Sequence, residues 1–246
     1  MPFNSPRLRD SAHKRPEPYP LNNPPKQIIT EMAKRFVYLF AVGKSDISGE
    51  EWGDVFSHAV DGDHLASPVG LADVVKEGFS WSVKSVKQQS PHQSTKFRAI
   101  SGRNSPDYSY GITDPHKDVQ KTGNAVLGIW NERVRIGLEQ HDGLRIAFLI
   151  RNFNTLEFTF FEREAEKYSP SDYIWSKNSK GNFEAKDSGG IHRFTWQPHG
   201  GQFTIIYPVP IDSLKFHIKR PHTLDFEKVV TEIGFSDDWV SILNNR

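Results

Sequence analysis

The chain lacks several features that would assign it to a familiar class of protein. It has no cysteine, which excludes disulfide frameworks and cysteine zinc sites. It has no run of about 18 apolar residues, so no membrane-spanning helix is expected. The first residues contain no apolar stretch of the kind found in secretory signals. These absences predict a cytoplasmic protein.

A large net charge is also missing, but the charged residues are segregated along the chain. The formal net charge is +1 for 246 residues. Residues 1–40, 84–123 and 177–222 each carry seven Lys or Arg against three acids, whereas residues 44–77 carry two bases against eight acids. This pattern suits a protein that binds a phosphate backbone and holds a metal ion. Chance clustering on a solvated surface is the alternative interpretation.

Hydrophobic periodicity predicts a mixed α/β (α+β) fold. Residues 1–25 are rich in Pro, Asn, Arg and Ser without periodicity and are expected to form an extended or disordered N-terminal arm. After it the patterns predict helices at 28–42, 48–60 and about 117–140, a hairpin at 70–87, strands at 96–101, 144–150 and 156–161, a β-rich region, and a closing helix or two within 225–242.

The hairpin carries the clearest candidate site. Asp73 lies on its first strand and Lys84 on its second, where Phe79, Trp81 and Val83 alternate with Ser80, Ser82 and Lys84. One face is therefore apolar, and the other presents a lysine beside small hydroxyl groups that leave room for a ligand. A surface ion pair is the plain alternative.

The order αβββαβ, with an Asp on one strand and Ser82-Val83-Lys84 on the next, resembles the PD-(D/E)xK nuclease superfamily, which includes many type II restriction endonucleases. The resemblance covers roughly residues 45–162. It implies a restriction-endonuclease-like core with a central mixed sheet flanked by helices, and additional β-hairpins toward the C-terminus. It further implies a single nuclease domain over residues 26–246, with its catalytic core at about 45–162 and a β-rich recognition part at about 163–222.

In that family the Asp and a second acid bind Mg²⁺, for which Mn²⁺ often substitutes, and the Lys positions or activates water. The resemblance therefore implies metal ligands at Asp73 and at the carbonyl of Val83. Ser82 stands where the family has its second acid, so another carboxylate must replace it. Glu51 is the first choice, although Ser48-x-x-Glu51 is also a helix capping box. Glu132 is the second choice.

Polar and basic residues near this hairpin and in the β-rich region are candidate DNA contacts, because Arg and Lys bind phosphates while Arg, Gln and Asn also pair with base edges. The alternative interpretation is that these residues lie in ordinary solvated loops and in a hairpin that binds no DNA. For Arg133, which falls in the apolar stripe of its helix, an internal salt bridge is the alternative. The candidates are Lys87, Gln88, Arg98, Ser101, Arg103, Asn104, Asn131, Arg133, Arg193, Gln197, His199 and Gln202.

The first hypothesis is a Mg²⁺-dependent, sequence-specific endonuclease for double-stranded DNA, most similar to type II restriction enzymes. Such an enzyme would be expected to form a homodimer and to have a cognate DNA methyltransferase encoded nearby. The second is a non-catalytic DNA- or RNA-binding module that has lost the second acid, and the third is a protein with no role in nucleic acids. A metal cluster of His58 and His64 with Asp61 and Asp63 is a further, weakly patterned alternative.

Overall fold

A computed structural model describes residues 17–65 and 70–243, and within them the chain folds into five α-helices and eleven strands. The helices are α1 (Lys26–Ala41), α2 (Gly49–Val60), α3 (Pro106–Tyr110), α4 (Val119–Gln140) and α5 (Phe226–Glu232). The strands are β1 (Asp63–His64), β2 (Val74–Lys76), β3 (Phe79–Lys87), β4 (Lys96–Arg103), β5 (Gly143–Asn152), β6 (Glu157–Glu164), β7 (Ile174–Lys177), β8 (Phe183–Lys186), β9 (His192–Gln197), β10 (Gln202–Pro208) and β11 (Leu214–His217). This confirms the predicted α+β class.

Local sequence signals set the bounds of α2. The Ser48 hydroxyl accepts from the backbone N–H of Glu51, and the Glu51 carboxylate accepts from the backbone N–H of Ser48. This reciprocal capping box satisfies two donors at the start of the helix. The helix ends at Asp61, whose φ of 57° is left-handed. Both ends lie where the sequence predicts them.

The central sheet has six strands in the order β1-β2-β3-β5-β6-β11. β3 and β5 run parallel, and α4 lies on the connection between them, while the other neighbours are antiparallel. The sheet is therefore mixed, as predicted. Helices α1 and α2 pack on one face through Trp81 and its neighbours.

The second sheet contains β4, the strand at 96–101 that the predicted αβββαβ order counts as its third strand. Its strands follow the order β4-β10-β9-β8-β7 and are all antiparallel. β3 pairs with β5 along its whole length and with β2 only over Phe79–Trp81, while β4 pairs with β10. β4 instead packs Phe97 and Ala99 into a second core with α4.

The N-terminal and C-terminal parts of the described chain differ in how deeply their residues are buried. Residues 1–16 of the predicted arm lie outside the described residues, whereas Tyr19 is buried and stacks on Trp81 with ring centroids 6.3 Å apart. None of the residues of α5 is buried. In the described ranges no helix combines the length and apolar character that crossing a membrane requires.

Candidate active site

The backbone of Asp73 is held between two strands. Its N–H donates to the carbonyl of Trp81 on β3 at 2.8 Å, and its carbonyl accepts from the N–H of Leu65 at 2.9 Å. Asp73 immediately precedes β2, whose Val74 pairs with Trp81. The pairing places the Asp73 side chain on the face of the sheet that carries Ser82 and Lys84, because side chains alternate along a strand.

One oxygen of Asp73 collects three hydrogen bonds from β3. Oδ2 accepts from Ser82 Oγ at 3.0 Å, from the backbone N–H of Val83 at 2.8 Å and from Lys84 Nζ at 3.0 Å. Lys84 Nζ also donates to the carbonyl of Val83 at 2.9 Å. A carboxylate oxygen and a carbonyl oxygen thus converge on one cationic group, and the other carboxylate oxygen, Oδ1, receives none of these bonds.

This cluster opens onto a cavity of about 590 Å³ between the start of α2, the end of β3 and β4. The Asp73 and Lys84 side chains are 24% and 23% exposed. The pair is therefore partly desolvated but accessible, which is the condition a ligand-binding ion pair needs. The cavity is lined by Ile47, Ser48, Gly49, Glu50, His64, Leu65, Asp73, Val83, Lys84, Ser85, Val86, Phe97, Arg98, Ala99, Ile100 and Arg151.

Glu51, the first choice for the second acid, does not line this cavity. Its carboxylate accepts from the Ser48 N–H at 2.8 Å and pairs with Lys44 at 2.7 Å. Lys44, together with the Ser48 N–H, lowers the pKa of Glu51 to about 2. The acid that the structure brings to the cavity is Glu50. Consecutive residues of a helix point about 100° apart, so the neighbour of the capping glutamate faces a different way.

Glu132, the second choice, is not part of the hydrogen-bonded cluster around Asp73. It forms an exposed ion pair with Arg135 at 2.6 Å on α4. Hydrogen bonding from Arg135 lowers the pKa of Glu132. It also is not among the residues that line the cavity. The geometry therefore offers no support for Glu132 as a metal ligand.

Arg151, which the sequence did not single out, positions the start of α2 at the cavity. It is buried on β5 and donates to Asp46 Oδ1 at 2.8 Å and to the carbonyl of Ile47 at 2.6 Å. These bonds fix the loop that leads into Ser48 and Glu50. A buried arginine in a strand that reads as continuous apolar sequence was the available signal, because buried arginines are rare unless they are paired.

The donors around the cavity suit a hard cation, although no three-residue cluster is present. In the part of the chain that the structure describes, no group of three His, Asp or Glu side chains lies close enough together to hold a metal ion. Mg²⁺ nevertheless needs only one or two carboxylates, since waters and substrate phosphates complete its shell. Asp73, the Val83 carbonyl and Glu50 meet that requirement by chemical type.

The suggested histidine cluster does not form. His64 Nδ1 bonds to Asp54 Oδ1 at 2.6 Å, and His58 Nδ1 bonds to the carbonyl of Asp54 at 2.7 Å. Asp61 lies 3.7 Å from Lys76 instead. His64 thus reaches the rim of the cavity as the partner of a carboxylate and not as one of a set of metal ligands.

Several candidate DNA contacts share the surface that runs from the cavity along β4. Arg98 is exposed and lines the cavity, and β4 pairs with β10 up to the partners Arg103 and Gln202. Gln202 also pairs with Gln197, and exposed His199 lies in the turn between them. The tip of the β9–β10 hairpin is therefore connected to the cavity by a single strand.

Three other candidates have partners of their own. Lys87 is exposed and lies 3.6 Å from Asp46. Gln88 accepts from Ser94 Oγ and is half-buried. Arg193 pairs with Asp187 at 2.7 Å on the second sheet. Of the three, only Lys87 is exposed.

Four of the candidate DNA contacts are engaged or buried inside the protein. Arg133 donates to the carbonyls of Ser101 and Arg103 at 2.8 and 2.6 Å, so backbone oxygens rather than a strand acid hold its guanidinium. Its burial lowers its pKa. Asn131 exchanges two hydrogen bonds with the backbone of Tyr168.

Asn104 and Ser101 are likewise buried. The side-chain Nδ2 of Asn104 donates to the carbonyl of Val126 at 2.9 Å. The backbone carbonyl of Asn104 accepts from Trp196 Nε1 at 3.0 Å. Ser101 is only 6% exposed. A polar loop sequence does not reveal that a neighbouring helix engages the Asn104 side chain.

Comparison with known proteins gives no relative: no family model, no curated protein and no solved structure matches the chain. The chemistry of the cavity must therefore be argued from its own residues.

Proposed function

We propose that the chain is a Mg²⁺-dependent, sequence-specific endonuclease of double-stranded DNA, of the PD-(D/E)xK type found in type II restriction enzymes. The observation that carries the proposal is the convergence of Asp73 Oδ2 and the Val83 carbonyl on Lys84 Nζ, at 3.0 and 2.9 Å, beside an open cavity. Two oxygen donors and a lysine at one accessible point are the parts that phosphodiester hydrolysis requires.

The order of elements around the central sheet supports the same proposal. Without β4 and α3, which are inserted between β3 and α4, the chain order α2, β1, β2, β3, α4, β5 is αβββαβ, and β3 and β5 are parallel. The two-residue strand β1 completes this order in place of the strand at 96–101, which joins the second sheet. The aspartate, one residue before β2, and the lysine on the antiparallel neighbour β3 lie side by side, as the resemblance implies.

Asp73, the Val83 carbonyl and Glu50 would hold Mg²⁺ at this site. When bound, Mg²⁺ supplies positive charge to the scissile phosphate and lowers the pKa of the attacking water. Lys84 is held by Asp73 and Val83 next to that position, where its ammonium can donate to a phosphate oxygen or orient a water. Ser82 orients the Asp73 carboxylate through its hydroxyl, so it takes a positioning role where the family has an acid.

The DNA would lie along β4 toward the β9–β10 tip. A strand advances about 3.3 Å per residue, so Arg98 and Arg103 are separated by roughly 16 Å, or about five base-pair steps. Arg98 next to the cavity would contact phosphate near the cleaved bond. Arg103, His199 and Gln202 at the tip would read base edges or flanking phosphates.

The decisive experiment is digestion of a plasmid of known sequence with the purified protein and Mg²⁺. We expect discrete fragments, and no cleavage by Asp73→Asn or Lys84→Ala, because such catalysis depends on a large rate acceleration. Lys76→Ala is the matched control: Lys76 is also half-buried, donates to the carbonyl of Val60 and faces Asp61, but it lines a different cavity.

The outcomes separate the proposal from a non-catalytic binding module. Duplex binding that weakens with salt, with no cleavage in Mg²⁺ or Mn²⁺, would assign the module instead. Cleavage that persists in Asp73→Asn would move catalysis away from this cavity. Absence of salt-dependent binding to DNA would remove both functions.

A further inference from the structure

A second cavity lies where the end of β6 meets the β9–β10 hairpin of the second sheet. It has a volume of about 240 Å³, the space of roughly eight water molecules. Tyr168, Tyr173 and Phe194 supply aromatic walls, and the Phe194 ring centroid lies 4.9 Å from that of Tyr168 and 4.7 Å from that of Tyr173. No residue lines both this cavity and the one beside Asp73, so it is a separate candidate site.

Two buried polar atoms at this cavity lack hydrogen bonds within the described part of the chain. Tyr207 is only 6% exposed, and no described residue forms a hydrogen bond of normal length with its hydroxyl. The Nε of Arg163 is also buried without a partner, and its Nη2 makes one long contact, at 3.5 Å, with the carbonyl of Pro208. Because buried polar groups are nearly always paired, two such atoms at one cavity indicate that a ligand or ordered water completes them.

The tyrosine hydroxyls at this cavity remain protonated donors at neutral pH. Burial raises the pKa of Tyr207 well above its usual value of 10, and it raises the pKa of Tyr168 to about 12. Two charged residues act on both hydroxyls in opposite directions, since Glu166 raises and Arg163 lowers each pKa. A positive and a negative charge therefore lie near the same pair of hydroxyl donors.

These two charges are the ones left without an ion pair at the cavity, as far as the described residues extend. Asp187 pairs with Arg193 at 2.7 Å, and Glu164 pairs with an arginine of β5 at 3.0 Å. No ion pair within 4.0 Å joins Arg163 to Glu166 or to another described carboxylate. An anion alone would meet the charge of Glu166, and a cation alone would meet that of Arg163. A ligand that carries both charges matches both residues.

We propose that this cavity binds a free α-amino acid. The ligand carboxylate accepts hydrogen bonds from the Arg163 guanidinium and the Tyr207 hydroxyl, and the ligand ammonium group pairs with Glu166. Hydrogen bonds between a guanidinium and a carboxylate are about twice as strong as those between neutral groups. The aromatic walls suit an apolar or aromatic ligand side chain, and they also attract an ammonium group. This inference does not depend on the proposed nuclease activity.

A panel of the twenty common α-amino acids tests the proposal by thermal unfolding. The purified full chain is heated with each amino acid at about 10 mM and at constant ionic strength. A dissociation constant of about 1 mM should raise the melting temperature by roughly 3–5 °C, and we expect that rise from at least one amino acid with an apolar or aromatic side chain. Acetate and methylammonium each carry one of the two charges and should give no such rise.

Single substitutions test the assigned contacts with the amino acid that the panel identifies. Arg163→Gln and Glu166→Gln should each raise the dissociation constant at least about 10-fold, because each removes a charge-assisted contact. Tyr207→Phe should raise it about 5-fold while the melting temperature of the free protein stays the same or rises, because the lost hydroxyl is buried without a partner. Arg220→Gln is the matched control, since the Arg220 side chain also contacts backbone carbonyls and does not line this cavity.

The remaining outcomes overturn the proposal. If no amino acid of the panel raises the melting temperature, the cavity holds water only. If acetate or methylammonium raises it as much as the best amino acid does, the site recognises a single charge. Unchanged affinity in Tyr207→Phe and Glu166→Gln would place the amino acid elsewhere on the chain, and this test holds even where Arg163→Gln fails to fold.

Discussion

Two clusters of acids and bases lie on the central sheet, and they differ in their access to solvent. Asp73 and Lys84 are 3.0 Å apart at the edge of an open cavity. Arg145 and Glu162, on the adjacent strands β5 and β6, have fully buried side chains 3.8 Å apart. The partly exposed pair can give up a hydrogen bond to the protein in order to bind a ligand, whereas the buried pair contacts only protein groups.

The buried cluster fastens the start of the described chain to the sheet. Arg145 donates to the carbonyl of Tyr19 at 2.9 Å and to Glu17 at 2.5 Å. Glu162 Oε1 accepts from the hydroxyl of Tyr19 at 2.9 Å and from Trp81 Nε1 at 2.8 Å. Similar residue types therefore serve stability in one place and are available for chemistry in the other, and burial makes the difference.

The largest effect on stability is expected at the buried cluster. Arg145→Ala should lower the free energy of unfolding by about 3–5 kcal/mol, because it leaves a buried carboxylate without its counter-charge. Chemical denaturation measures the change. Arg193→Ala, which breaks the more exposed pair with Asp187, should cost far less. Equal losses from the two variants would show that burial does not distinguish the pairs.

The next largest effect distinguishes the two neighbouring glutamates of α2. Glu50→Gln should reduce the cleavage rate about 100-fold, the order expected when one electrostatic contact leaves an active site. Glu51→Gln should leave the rate nearly unchanged, because its carboxylate is engaged by Ser48 and Lys44. Cleavage rates at several Mg²⁺ concentrations measure both. The reverse result would restore Glu51 as the second acid.

The buried cluster also predicts a dependence of stability on pH. Burial raises the pKa of Glu162 from 4.5 to about 7, against the lowering influence of Tyr19, Arg145 and Trp81. The folded state therefore holds this proton more tightly than the unfolded state. Its contribution is complete below about pH 4.5 and is lost as the pH rises to about 7.

The loss should be on the order of 3 kcal/mol as the pH rises through this range. Denaturation at a series of pH values measures it, and Glu162→Gln should remove this part of the slope. Asp73→Asn is the comparison from the open cavity and should leave the slope in this range in place. A slope that survives in Glu162→Gln would assign the proton to another group.

The smallest effect is expected at Ser82. Ser82→Ala removes one of the three hydrogen bonds to Asp73 Oδ2 and should lower the free energy of unfolding by about 1 kcal/mol. The bonds from Val83 and Lys84 remain, so cleavage should fall modestly rather than vanish. Loss of all activity would give the hydroxyl a direct part in the reaction.

Most of the secondary structure could be predicted from the sequence, because its signals are local. The capping box fixed the start of α2, and alternation along β3 separated Trp81 and Val83 from Ser82 and Lys84. Helix α4 begins two residues after its predicted start and ends where predicted. The short helix α3 escaped prediction because its five residues carry too little periodicity.

The sequence by itself determined the class of the fold, the hairpin and the pairing of Asp73 with Lys84, since residue alternation and strand order depend on neighbours along the chain. Only the tertiary structure decided that Glu50 rather than Glu51 reaches the cavity, that β4 joins the second sheet, and that Asn104, Asn131 and Arg133 are consumed by internal contacts. These outcomes depend on which edges and backbone groups remain free after distant segments have packed, and no local pattern records that.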